Sequence, residues 1–112
     1  MLIILNDPPY GTERSYNGLR LAKAVACRGA SVTLFLMADA VGCAKRGQKV
    51  PRSFYGIDLM LKSVIRKGEV LLCGTCMDAR GLQEVELIEG AHRSTLDTLA
   101  QRTLEADKVV VF

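Results

Sequence analysis

The chain contains no tryptophan, three prolines and a single histidine, His92, in 112 residues, and only 5% of it is aromatic. One histidine, one C-x-x-C pair and two scattered cysteines repeat no ligand spacing of a structural zinc site, so no metal is expected. There is no basic block interleaved with aromatics. Fifteen basic against twelve acidic residues give a net charge of +3 spread along the sequence, which excludes an evident nucleic-acid surface. No apolar run approaches the ~20 residues of a membrane-spanning helix. The opening Met1-Leu2-Ile3-Ile4-Leu5-Asn6 is too short for the apolar region of a secretory signal and reads as a first strand. The expectation is a cytoplasmic protein with neither membrane nor nucleic acid as partner. Four cysteines would suffice for a disulfide framework, but 49% hydrophobic content supplies an ordinary core. The cysteines are therefore expected as thiols.

What is present is the alternation of a single α/β domain over residues 1–112, a length at which roughly two-thirds of the unfolded surface can be buried. Leu2 to Leu5 is an apolar run, followed by the loop Asn6-Asp7-Pro8-Pro9-Tyr10-Gly11-Thr12. Tyr16, Leu19, Ala22 and Val25 mark a helix from about Glu13 that stops at Arg28-Gly29. Ser31 to Met37 is a second strand, hydrophobic almost throughout, as a parallel strand covered on both faces would be. Ala38 to Ala44 suggests a short helical turn, and Lys45 to Ser53, with Lys45, Arg46, Lys49 and Arg52, a mobile cationic loop open to an acidic partner. A helical stripe runs from about Tyr55 to Lys67, and Glu69 to Cys73 is the third strand. One or two helical turns are expected over Met77 to Gly81, and Leu82 to Gly90 is ambiguous between strand and irregular chain. Ser94 or Thr95 caps a last helix, and Lys108 to Phe112 closes the sheet. The predicted architecture is a mostly parallel sheet of about five strands with helices on both faces, layered as in flavodoxin.

The most informative stretch is Glu69-Val70-Leu71-Leu72-Cys73-Gly74-Thr75-Cys76-Met77-Asp78-Ala79-Arg80-Gly81. It ends a parallel strand on two cysteines, at the carboxyl edge where open α/β sheets place their ligands. A helix starting there offers unpaired N–H groups and pushes a thiol toward thiolate, the form that attacks sulfur. Cys73 is the first candidate nucleophile and Cys76 its partner. Gly74 and Thr75 beside them, with Arg80 a turn later, are candidates for binding substrate or stabilising the thiolate. Gly74 and Gly81 also read as backbone devices, and Asp78 as a dipole partner in a first helical turn. Asp7, Tyr10 and Thr12 are placed as a possible pocket loop at the same edge, near Ala38 to Val41. Cys27 and Cys43 read as packing residues and His92 as a surface or capping residue.

These residues, with a Gly-Gln-Lys segment before a helix and the final Ala106-Asp107-Lys108-Val109-Val110-Val111-Phe112, resemble the small DsrE/DsrF-like proteins over essentially the full chain. The resemblance implies a YchN-like fold, a trimeric or hexameric homo-oligomer, no cofactor, and intracellular sulfur relay through a cysteine persulfide, with protein or small-molecule persulfides as donors and acceptors. The family's carriers have one acceptor cysteine ahead of an Arg-Gly pair, and matching that pair to Arg80-Gly81 brings the acceptor onto Cys73. The single-cysteine carriers lack an equivalent of Cys76.

Two other functions fit the same residues. A dithiol/disulfide oxidoreductase would use Cys73 as nucleophile and Cys76 as resolving thiol. Against it, the pair follows the third strand, and Pro8, Pro9 and Pro51 leave no later proline to flank it as in thioredoxin-like proteins. A non-catalytic oligomeric binding module would leave both thiols buried and unreactive.

Overall fold

The computed structural model describes residues 1–112. Five strands, β1 (Leu2–Leu5), β2 (Thr33–Leu36), β3 (Glu69–Cys73), β4 (Ala91–Ser94) and β5 (Val109–Val111), form one sheet in the order β4-β3-β2-β1-β5. Every pairing is parallel, with Leu5 opposite Leu36, Leu36 opposite Leu72, and Cys73 opposite Ser94. The helices are α1 (Arg14–Cys27), α2 (Ile57–Ile65), α3 (Gly74–Ala79) and α4 (Leu96–Glu105), with a 3-10 segment over Ala38–Ala44. This is the single-domain α/β fold expected. No helix is long and apolar enough to cross a membrane.

The period of two along each strand divides the core into two layers. Ile3, Leu5, Leu34, Leu36, Val70 and Leu72 face one side, where they join Leu19 and Ala22 of α1, Ile57, Leu61 and Val64 of α2, and Met77 of α3. Leu2, Phe35, Leu71 and Cys73 face the other side with Leu99 of α4. The second layer is thin. Leu99 is the one buried residue of α4, while Leu96, Leu104 and Val111 are 68%, 87% and 61% exposed. Large apolar side chains are therefore left uncovered on both α4 and β5.

Three local expectations differ from the structure. The third helix begins at Gly74 rather than near Met77, because Cys73 itself caps it. The fourth strand is Ala91-His92-Arg93-Ser94, immediately beyond the stretch left ambiguous. As an edge strand with His92 and Arg93 exposed, it carries none of the apolar patterning by which buried strands are recognised. Cys27, read as a packing residue, is exposed on α1, whereas Cys43 is fully buried.

Candidate functional site

β3 carries its last residue, Cys73, to the carboxyl edge of the sheet. There the backbone turns directly into α3 with no intervening loop. The N-cap position demands a side-chain acceptor for an orphan helical N–H. Here the acceptor is sulfur: the Cys76 N–H donates to Cys73 Sγ at 3.4 Å. Thr75 Oγ1 lies 3.2 Å from the same sulfur.

Burial pushes the Cys73 thiol up. Hydrogen bonds from the Cys76 thiol, the Thr75 hydroxyl and the backbone N–H groups of Cys76 and Thr75 outweigh it and hold Cys73 below the ordinary cysteine range. Cys76 moves the other way. Its burial raises it, and so do donation to Cys73 and the negative charge there, which together outweigh the opposing pulls of the Ala38 N–H and Arg80. Helix-start position thus favours the thiolate at Cys73 and not at Cys76, because the Cys73 sulfur is the one that accepts the N–H at the cap. Cys73 keeps 6% of its surface, and Cys76 is half-buried.

Two arginines bracket α3. Arg80 donates to the Cys76 carbonyl at 3.0 Å and pairs with Asp39 of the 3-10 segment at 2.8 and 2.9 Å, which ties the end of α3 to the loop after β2. Arg93 reaches across from β4 and grips both oxygens of Asp78, at 2.7 and 2.9 Å. It is within electrostatic range of Cys73. Asp78 therefore stands in the last turn of the helix as the anchor of Arg93, not in a first turn as a dipole partner. The pairing explains Gly74: a Cβ there would lie 2.9 Å from the Ser94 carbonyl oxygen and 3.0 Å from the Arg93 guanidinium. Arg93 escaped the sequence reading because its role depends on β4 lying beside β3, and the only sequence signal for it was the close-approach glycine.

The structure brings Cys73, Gly74, Thr75, Cys76 and Arg80 together, along with the start of the 3-10 segment. It engages the first loop elsewhere. Thr12 donates to the Asp7 carboxylate, the Asp7 carbonyl accepts from Ser15 at 2.7 Å, and the Tyr10 hydroxyl donates to the Tyr55 carbonyl at 2.8 Å. Asp7, Tyr10 and Thr12 thus brace α1 against the start of α2, with β2 standing between their strand and β3. Gly81, at φ 64°, ends α3 in the left-handed conformation that glycine tolerates.

Fold and site together define a class: a parallel five-stranded α/β protein whose interior strand ends on a thiol that caps the following helix. Within that class, the model of the DsrE/DsrF-like family matches residues 1–112, and the chain belongs to this family. Protein YchN of Escherichia coli (strain K12) is 44% identical over 115 residues, spanning 100% of this chain and 97% of YchN. An uncharacterized protein of Methanocaldococcus jannaschii is 40% identical over 111 residues, spanning 98% of this chain and 96% of its own. The crystal structure of the YchN protein from E. coli superposes with a TM-score of 0.93 at 43% identity, covering 99% of this chain and 97% of that one. A protein of unknown function from Methanobacterium thermoautotrophicum superposes at 0.75 with 13% identity, covering 99% and 97% of the two chains, a likeness of fold alone.

Proposed function

We propose that the protein is a sulfur-relay carrier in which the Cys73 thiolate takes sulfane sulfur from a persulfide donor and passes it to an acceptor thiol. The observation that carries this reading is the Cys73 sulfur itself, which accepts from the Cys76 N–H and neighbours the Thr75 hydroxyl at a strand end. A thiolate held by fixed donors is a competent nucleophile at neutral pH. In loading, Cys73–S⁻ attacks the outer sulfur of R–S–SH. The new S–S bond forms as the old one breaks, and R–S⁻ leaves with the electron pair, so no cofactor is required. Membership of the DsrE/DsrF-like family supports the assignment. The exposed apolar side chains Leu96, Leu104, Val109 and Val111 support self-association, a trimer or hexamer that sedimentation would reveal.

Intact-protein mass spectrometry after incubation with a small persulfide tests the reading. A gain of about 32 Da per chain, one sulfur atom, that disappears in Cys73→Ser is expected. Full loading in Cys73→Ser would refute Cys73 as acceptor, and thiols inert to every donor would favour a binding module. A dithiol/disulfide function is the second reading, favoured by the closeness of the pair, with the Cys76 N–H donating to Cys73 Sγ at 3.4 Å. Its signature is the loss of two protons on oxidation, requiring both cysteines, with no sulfur added.

A further inference from the structure

The two cysteines differ in ways a single acceptor does not require. Cys73 is 6% exposed, whereas Cys76 is half-buried and therefore the more accessible of the pair. Cys76 also has fixed surroundings of its own. Arg80 is held at its carbonyl and latched by Asp39, so its guanidinium stays beside the residue. Near it in the 3-10 segment is Ala38, the one non-glycine residue with positive φ, at 49°. Strain of that kind persists only where the surroundings impose it, and it concentrates at functional positions. The Ala38 N–H is one of the two groups that favour the Cys76 thiolate.

We propose that the cysteines are successive stations, Cys73 taking up the sulfur and Cys76 receiving it within the same chain before it leaves; the inference rests on the relay reading above. The Cys76 thiolate attacks the outer sulfur of protonated Cys73–S–SH. A bond forms between Cys76 Sγ and that sulfur, and the bond to Cys73 Sγ breaks. The electron pair returns to Cys73 as thiolate, which takes the proton that Cys76 gave up. No oxidant or reductant enters. Three influences oppose ionisation of Cys76 in the unloaded protein: its burial, its donation to Cys73 and the charge there. The last two weaken when Cys73 carries a protonated persulfide, while the Ala38 N–H and Arg80 remain to favour the attacking anion. Attack on the inner sulfur instead would give a Cys73–Cys76 disulfide and release HS⁻.

The full chain, Cys76→Ser and Arg80→Gln are each mixed with one equivalent of glutathione persulfide, quenched by alkylation over time, and mapped by tandem mass spectrometry. Sulfur should appear on Cys73 first and on Cys76 later. Cys76→Ser should still load Cys73 but deliver sulfur to an external thiol about tenfold more slowly. Arg80→Gln should slow the Cys73-to-Cys76 step, and Arg80→Lys, which keeps the charge, should restore much of it. Delivery at the parent rate by a loaded Cys76→Ser overturns the two-station order but leaves the relay standing, and so does labelling of Cys76 first. Disulfide with sulfide release overturns the hand-over. Loading of neither cysteine overturns both readings.

Discussion

Gly74→Ala probes how closely β4 presses on the start of α3. The new methyl would sit 2.9 Å from the Ser94 carbonyl and 3.0 Å from Nε and Cζ of Arg93. The guanidinium can swing aside by giving up Asp78. The carbonyl belongs to a strand paired to β3 and must move with it. Overpacking of this kind costs about 1–3 kcal/mol, offset by roughly 0.5 kcal/mol from the better helix propensity of alanine. With an unfolding entropy of about 2.1 cal/mol/K per residue, or about 0.24 kcal/mol/K for this length, the melting temperature should fall by about 2–10 °C. Thermal unfolding followed by circular dichroism measures it. Alkylation of Cys73 should slow in parallel as Ser94 and Arg93 shift. Gly81→Ala is the comparison. At φ 64° with nothing within 4 Å, it pays backbone strain alone and should leave Cys73 reactivity intact. A Gly74→Ala variant as stable as the parent, with unchanged alkylation, would show that β4 does not press on the helix start.

Thr75→Val removes the hydroxyl 3.2 Å from the Cys73 sulfur; the thiol should rise toward its ordinary range and alkylation near pH 7 should slow about threefold, read from the rate–pH profile. Cys43 is pushed up to about 12, chiefly by burial, so it should label only in denaturant while exposed Cys27 labels at once. Because its folded value lies above the unfolded one, the stability linked to Cys43 is complete below about pH 9 and is lost as pH climbs toward about 12, which alkaline denaturation curves should register. Glu69 is held below the carboxylate range, first by its hydrogen bonds from Arg102. Its contribution is therefore present above the unfolded value of 4.5 and lost as pH falls through the lower folded one. In this partly exposed pair, Arg102→Gln should cost about 0.5–1 kcal/mol at pH 7 and nothing at pH 2, measured by urea unfolding.

Where a residue's role depends on its own neighbours in sequence, the reading from sequence succeeded. The apolar runs of β1, β2 and β3 announce buried parallel strands. Gly29 and Gly81 mark helix ends, and the cysteine pair after an apolar strand marks the edge at which the site is built. Roles created by neighbours distant in the chain were not legible. β4 looks polar because only its pairing to β3 makes it a strand. Arg93 is one more surface arginine until Asp78 and Gly74 come beneath it. The division of labour between Cys73 and Cys76 turns on which sulfur faces the N–H at the cap, a matter of one residue in the helix start. The first loop meets the 3-10 segment, where the Cys43 thiol donates to the Asp7 carbonyl, but not the cysteine pair, because sharing an edge does not bring β1 and β3 together when β2 lies between them.

Because the helix cap at Cys73 is also the proposed nucleophile, folding and thiol acidity in this corner are a single equilibrium. Each time the first turn of α3 frays, the sulfur loses its N–H donors and its acidity weakens, and each ionisation of the sulfur in turn tightens the turn. A six-residue helix is too short to hold without its packing and should open before the sheet melts. Thiol chemistry should therefore fade on warming ahead of global unfolding, making Cys73 a built-in thermometer of the local structure around it.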